Sequence, residues 1–555
     1  MNIKELHDRE NAKSDAPDSA GESDSRRENK SIDDEEMKKP RNDHSKDHSA
    51  TSSVHWEIAK QLRLHGAECK SCEDVASNYP ELNGLLTNEI DINDVPMIIP
   101  WTSFSNMHKA KLAEVARRRN YFTVGTYWYH QRSIGSGSFG DIFAGINEKD
   151  GREVAIKKIE KLRMVRPEDK REIRNLTALA DCQQVVRYIF FDDNDRSFTF
   201  IVLELMEGHL DDYFESASFD AREGTSLCRE VAMGLKYLHE HKSNPILHRD
   251  LKPGNILYKT SPKLCLKIAD FGVSSPIDGA SKTTVLGTNV GTRCWVAPEV
   301  IRSTNHQHSM SSDVFAFGLI MHYILSSQKH PFTPADCKDK DGKEKSASLI
   351  DLQIQNNMLN NNMEGWNNCL SPEATHLVKK MLDSHETQRP SAADALNHPM
   401  FWSNKKKMDF LSAVGNQREI QLPVIGHLNA VQADLEATFP TIFKRTSWTY
   451  AKFTHMRVIH YEMTQPIVKT GKNGKLYTVP PKKYNTGSVL ELIRYIRNAM
   501  AHVSDASRPS RFSKQILEDY VFLDEFPSLV LEVFKVATKH GWDVSRVEIK
   551  TTMNQ

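Results

Sequence analysis

A series of short polar motifs, in one order between residues 135 and 299, constrains this chain more than any other feature. Gly135-Ser136-Gly137-Ser138-Phe139-Gly140 lies between two extended segments, a strand-turn-strand pattern whose glycines let backbone amides approach phosphate oxygens without a Cβ in the way. Alone this is a weak signal. It is followed by Val154-Ala155-Ile156-Lys157, which puts an ammonium on a strand where it can meet those phosphates, and by Glu172, on a charged helical stretch, which can orient the lysine. His248-Arg249-Asp250-Leu251-Lys252-Pro253-Gly254-Asn255 comes next. Asp250 can accept a hydroxyl proton, Asn255 offers an oxygen to magnesium, and Lys252 can steady a phosphoryl group in transit. Asp270-Phe271-Gly272 adds a second magnesium ligand, and Ala297-Pro298-Glu299 closes the segment that follows it. One such match is common by chance, whereas the ordered set with these intervening lengths is not.

This set resembles the protein kinase family over residues 127 to 402, and the resemblance extends to Asp313 and to Arg389, which the family pattern pairs with Glu299. It implies a bilobal α+β fold, Leu203 as gatekeeper and a hinge from Glu204 to Met206 that binds adenine. It also implies ATP and Mg2+ as cofactors, and transfer to a serine or threonine of a protein substrate or of the chain itself. Lys157, Asp250, Asn255 and Asp270 are all present, which favours catalysis over a pseudokinase that binds nucleotide as a structural ligand. Arg249 can pair with a phosphorylated activation loop, for which Ser274, Ser275, Ser281, Thr283, Thr284 and Thr288 are candidate acceptors.

Behind His398-Pro-Met-Phe-Trp402 the chain runs without a flexible linker into the helical pattern of residues 405 to 416, so a rigidly docked domain is expected. Within it, Ser488 and Glu491 have capping-box spacing at the start of a helix. Val489, Leu492, Ile493, Ile496, Met500 and Val503 form its apolar stripe; Glu491, Arg494, Tyr495, Asn498 and His502 recur on another face, with Arg497 between them. Asn498 and His502 are one turn apart, and Tyr484 arrives from the preceding loop. The kinase, the junction and the spacing of Tyr484, Arg497, Asn498 and His502 together resemble the Ire and RNase L family, in which an all-α, KEN-type endoribonuclease domain follows a kinase. The resemblance covers 403 to about 545 and implies the roles. His502 is the general acid, Arg497 stabilises phosphate charge, Asn498 orients the phosphate or the histidine, and Tyr484 positions or activates the nucleophile. It also implies an RNA substrate cut by 2′-hydroxyl attack without a metal, and a homodimer promoted by ATP or ADP. The stretch 467–481 reads as an extended polar loop whose Lys469, Lys472 and Lys475 either touch RNA phosphates or keep the loop soluble. The alternatives are a conventional kinase with a regulatory helical tail and a nucleotide-gated scaffold.

At 555 residues the chain is long enough for two or three domains. Lys plus Arg and Asp plus Glu both number 73, so no global field points to nucleic acid or membrane and any RNA site must be local. Residues 1 to 53 are polar and nearly free of apolar side chains, the composition of a disordered segment. Apolar residues at helical spacing from 54 to 120, ending in Leu112 and Val115, indicate a small helical module that resembles a SAM-type interaction domain, with a plain helical linker as the alternative. The expected domains are therefore 54–120, 121–402 and 403–545. The longest apolar run, around Phe315 to Leu325, is too short for a bilayer, and the N-terminus lacks a signal-peptide core, so a cytoplasmic protein without a membrane segment is expected. Eight scattered cysteines suit reduced thiols, and Cys69 and Cys72 form a CxxC with no second pair at zinc-finger spacing. The family departs from this chain ahead of the kinase, where Ire proteins carry a lumenal domain and transmembrane helix and RNase L carries ankyrin repeats. The resemblance therefore carries over no activating signal.

Overall fold

The computed structural model describes residues 99–554 apart from 102–104, 138–139, 162–178, 180, 217–220, 243–244, 272–274, 277–292, 305–306, 339–342, 423–426, 444–445, 449–453, 471, 473, 481–482 and 503–513. The expectations for residues 1–98, Ser138, Phe139, Glu172, Gly272 and Val503, and all the candidate phosphoacceptors but Ser275, lie outside the described residues.

Helix α1 (Lys109–Ala116) leads into strands β1 (Tyr121–Val124), β2 (Tyr127–His130), β3 (Gly135–Gly137), β4 (Gly140–Asn147), β5 (Glu153–Glu160), β6 (Tyr188–Asp192) and β7 (Phe198–Glu204). They form one antiparallel sheet in the order β1-β2-β4-β5-β7-β6, with β3 paired to β4. The β-branched and aromatic residues of β5 and β7 are almost continuously buried because one set packs with the helix and segment ahead of β1 and the other packs with side chains of neighbouring strands of the same sheet. Ile99, Trp101, Leu112, Val115 and Ala116 share one apolar core with Trp128, Ala144, Ile146, Ala155 and Leu205. The boundary expected at residue 120 thus runs through a packed core, because α1 buries its apolar face against the sheet.

A larger, mainly helical lobe follows. The short strand β8 (Gly208–His209) pairs with β10 (Ile256–Lys259), which pairs with β11 (Cys265–Ile268); β9 (Ile246–Leu247) pairs with β12 (Ser275–Pro276). Helix α2 (Ala221–His239) packs against α3 (Met310–Leu325), whose N-terminus is closed by a Ser309–Ser312 capping box. The apolar run at Phe315 to Leu325 is the body of α3, buried nearly all round at the centre of the lobe, which is why it shows no amphipathic rhythm. No helix among the described residues is long and apolar enough to cross a membrane. Arg389 makes the expected fork with Glu299, 2.6 and 2.8 Å, and closes the segment leading to Ala297-Pro298-Glu299.

Adjacent residues divide the two halves of the chain. Phe401 is buried in the core of the helical lobe and Trp402 in the next core, each burial worth roughly 2 to 3 kcal/mol. Ser403 immediately caps helix α5 (Asn404–Gly415), as the absence of a linker predicted. Lys407 on α5 reaches Glu373, the second residue of helix α4 (Pro372–Met381), at 2.9 Å, and Phe534 lies edge-on to both His398 and Trp402. His376 and His398 are hydrogen-bonded at 2.9 Å, and burial lowers them to about 4 and about 3, so the pair is neutral. Around α5 pack α6 (Ala430–Ala437), α7 (Thr454–Met463), α8 (Val489–His502), α9 (Leu529–Lys539) and α10 (Val547–Asn554). One part of this domain is not helical. The stretch read as an extended loop forms a hairpin of β13 (Ile467–Thr470) and β14 (Leu476–Val479), in which backbone pairing satisfies what a loop would leave to water.

Candidate active sites

Between the first two lobes the polar motifs converge. Lys157 on β5 is buried, and its ammonium lies 3.3 Å from Asp270 Oδ1. Lys252 Nζ is 2.8 Å from Asp250 Oδ2, and the Asn255 amide donates to the Asp250 carbonyl at 2.6 Å and to Oδ2 at 2.9 Å. With its nitrogen spent on Asp250, Asn255 is left with its amide oxygen to offer a cation, as a hard-oxygen site with Asp270 requires. This loop is held from below. Asp313 accepts from the backbone amides of His248 and Arg249 at 2.8 and 2.9 Å and from His239, and His248 bonds the Ala269 carbonyl at 2.9 Å. Arg249 and Asp270 both take positive φ, 71° and 62°, conformations that this bonding sustains. Burial acts to raise the Asp270 carboxyl, but Lys157, followed by His248 and Lys252, outweighs it and holds the group below the ordinary carboxylate range. Val154 and Ala155 pair with Glu204 and Leu203, which sets the roof of the cleft beside Met206. Gly135, Ser136 and Gly137 lie on β3 at the edge, and a Cβ on Gly135 would point into open space. Gly140 has a different reason from the one expected of it: at φ +145° its Cβ would lie 2.2 Å from the Lys158 carbonyl, so strand packing, not phosphate, demands glycine there.

In the second domain, the site residues come together on α8 and the loop before it. Asn498 Nδ2 donates to Tyr484 Oη at 2.9 Å, and Arg497 donates to Asn498 Oδ1 at 3.0 Å, so phenol, amide and guanidinium form one chain. His502 is exposed at the end of α8, one turn beyond Asn498. The capping box is only half made. Ser488 Oγ accepts from the Glu491 amide at 3.2 Å, but Glu491 turns to Arg494, the Ser488 amide donates to the Asn485 carbonyl at 3.2 Å, and Glu436 on α6 caps the amides that follow. Its carboxylate accepts from Ser488 Oγ and from the amides of Val489 and Leu490 at 2.5, 3.0 and 3.2 Å, a negative charge on the positive end of α8.

The face assigned to Tyr495 also differs. Tyr495 is fully buried, 5.0 Å from Trp448, 5.7 Å from His460 and edge-on to Tyr484 at 5.1 Å. A helix packed on more than one side buries more than a single stripe, and here the extra burial backs the Tyr484 ring. Burial, then the neighbouring Tyr484 and Glu462, push the Tyr495 phenol well above its usual range, and burial lowers His460.

Sequence reasoning did not assign Gly415, Asn416 or Glu436. Asn416 Oδ1 accepts from Arg497 Nε at 2.7 Å, and a Cβ on Gly415 would lie 2.7 Å from Arg497 Cβ. The signal present was the sequence Val-Gly-Asn at the end of an otherwise regular helix; what Asn416 meets is 81 residues away and has no local mark. Gly415→Ala is expected to push α5 off α8 at Arg497 and cost about 1 to 3 kcal/mol in stability. Denaturant melts check this, and a variant as stable as the wild type would show that the close approach is unimportant.

Comparison with known proteins matches residues 128–401 to the protein kinase domain and residues 407–548 to the ribonuclease 2-5A domain. The chain is 27% identical over 463 residues to the serine/threonine-protein kinase/endoribonuclease IRE1 of Oryza sativa subsp. japonica, covering 79% of this chain and 46% of that protein. It is 26% identical to the sensor for unfolded proteins in the ER ire1 of Schizosaccharomyces pombe, covering 88% and 44%, and 25% identical to the serine/threonine-protein kinase/endoribonuclease IRE1a of Arabidopsis thaliana, covering 75% and 50%. The chain thus spans about half the length of the curated relatives it matches.

Proposed function

Because the chain belongs to the Ire and RNase L family of kinase–endoribonucleases, we propose that it is a serine/threonine protein kinase that also cuts RNA, with nucleotide in the kinase cleft promoting a dimer active in cleavage. The observation that carries this reading is the Arg497–Asn498–Tyr484 chain of hydrogen bonds in a domain that shares an aromatic seam with a lobe bearing Asp250, Asn255 and Asp270.

In the cleft, Asp250 accepts the proton of the acceptor hydroxyl as it attacks the γ-phosphorus of ATP and the bond to the bridging oxygen breaks to release ADP; Lys252 balances charge on the group in transit, and Lys157 holds the nucleotide's phosphates. Asn255 and Asp270 would hold Mg2+, which when bound neutralises phosphate charge. In the second domain, Tyr484 positions the ribose 2′-hydroxyl, whose oxygen bonds to phosphorus as its proton passes to solvent water. The P–O5′ bond breaks, and His502 gives its proton to the departing 5′-oxygen, leaving a 2′,3′-cyclic phosphate and a 5′-hydroxyl. Arg497 compensates the charge of the crowded phosphorus centre, and Asn498 holds Tyr484 and Arg497 in register. These steps call on side chains and water, so cleavage is expected in EDTA.

Residues 403–555 carry 22 Lys and Arg against 14 Asp and Glu, a local positive excess that suits an RNA backbone, and pairing two copies enlarges that surface. The test is cleavage of a labelled stem-loop RNA across a range of protein concentrations. Cleavage in EDTA, a cyclic phosphate end, a rate rising more steeply than linearly at low protein and promotion by ADP with Mg2+ are expected. No cleavage at any concentration would leave a kinase with a helical appendage. Linear dependence through the dimerisation midpoint, measured by sedimentation, would exclude the dimer requirement.

A further inference from the structure

The segment ahead of β1 reaches the adenine edge of the cleft. His108, immediately before α1, lies 3.2 Å through Nε2 from the carbonyl of Met206 in the hinge. A carbonyl only accepts, so Nε2 carries the hydrogen and donates it. Burial holds this imidazole below its ordinary range, outweighing the Met206 carbonyl, so the ring is neutral and its tautomer is set by that bond.

The bond sits inside a brace. Glu153 Oε1 accepts from Trp101 Nε1 and from the Ser105 amide at 3.1 and 3.2 Å, fixing the segment to β5. Ser105 Oγ accepts from the His108 amide at 3.2 Å, which sets the direction of the ring. Glu207, the residue after Met206, accepts from the Asn106 amide through Oε1, at 3.2 Å, and from Thr260 of the lower lobe through Oε2, at 2.7 Å from its hydroxyl. The hinge is thus held from the preceding segment on one side and from the lower lobe on the other. The same segment buries Trp101 and Leu112 in one core with Ala155 of β5 and Leu205 of the hinge.

We propose that His108 is a nucleotide-positioning residue: by donating to the Met206 carbonyl it fixes the peptide following Met206, so that the hinge presents its adenine-binding edge already in place. This rests on the reading of the cleft as an ATP site and adds to it a residue outside the kinase motifs. A hinge ordered before binding loses less freedom on binding, and that difference appears in nucleotide affinity. It is the same before and during phosphoryl transfer, so it appears in KM and not in kcat.

The full chain is titrated with ADP and Mg2+ by calorimetry, and KM and kcat for ATP are measured on a peptide or on the chain itself. His108→Ala and His108→Phe, the second keeping a ring but no donor, are expected to weaken ADP about five- to tenfold and to raise KM for ATP likewise, with kcat at saturating ATP little changed. His108→Gln, whose amide donates from a similar reach, is expected to recover most of the affinity. Should the alanine variant fail to fold, the phenylalanine and glutamine pair decides. Wild-type affinity in His108→Phe, or glutamine no better than phenylalanine, would overturn the proposal. If the wild-type chain binds no ADP at all, it is the reading of the cleft that falls.

Discussion

His502→Ala is expected to cut RNA cleavage by about 10²- to 10⁴-fold, the usual worth of a general acid, while ADP binding stays at the wild-type value. His502 lies exposed at the end of α8, so its removal leaves no buried cavity. A fall in rate therefore cannot be blamed on unfolding, and matched melting curves establish this. The chemical role is separable as well. A substrate with sulfur in place of the 5′-bridging oxygen has a leaving group that needs no proton, and His502→Ala is expected to cleave it nearly as fast as the wild type does. If the variant cuts ordinary RNA at the wild-type rate, His502 is not the acid. If the sulfur substrate is slowed as much as the oxygen one, His502 acts on something other than the leaving group.

Asp270→Ala is expected to lower phosphoryl transfer by about three orders of magnitude or more, because the ligand to a charge-neutralising ion is worth several kcal/mol. The substitution has a second effect that the geometry makes explicit. Lys157 is buried, and Asp270 is its neighbour at 3.3 Å. A carboxylate held below its ordinary range contributes stability that is fully present above its unfolded value, near 3.8, and lost as the pH falls through the folded value. At neutral pH the wild type holds all of that stabilisation, so the alanine variant is also expected to melt earlier. Asp270→Asn keeps the shape and separates the two effects. Autophosphorylation that persists in both variants would remove Asp270 from the metal site. If either variant still binds ADP, the proposed coupling predicts that RNA cleavage survives in it, since nucleotide occupancy and not transfer is what favours the dimer. Loss of cleavage despite retained ADP binding and dimerisation would break that link.

Transmission between the sites needs a junction that does not bend, and Phe401 and Trp402 supply it. Consecutive residues inserted in different cores leave no free backbone torsion between the domains. The Lys407–Glu373 ion pair and the Phe534 ring against His398 close the same seam from the side.

What the sequence determined by itself was the chemistry and its order. Lys157, Asp250, Asn255 and Asp270 could be read because catalytic motifs are local: each sits a few residues from the glycine, proline or strand pattern that marks it. The rigid junction was legible for the same reason, as helical pattern resumes directly behind Trp402. Tyr484, Arg497, Asn498 and His502 were legible only as a likeness to a family, since helical spacing alone would equally describe a solvated face. The tertiary structure decided the rest. Glu436 closes the start of α8 from 52 residues away, Tyr495 turns inward behind Tyr484, Gly415 admits Arg497, and His108 meets the hinge across 98 residues. None of these leaves a periodic or compositional trace, because a side chain's partner across a fold depends on how whole elements pack. Charge, hydrogen-bonding capacity and size are written at each position; which of them meet is settled only when the cores close.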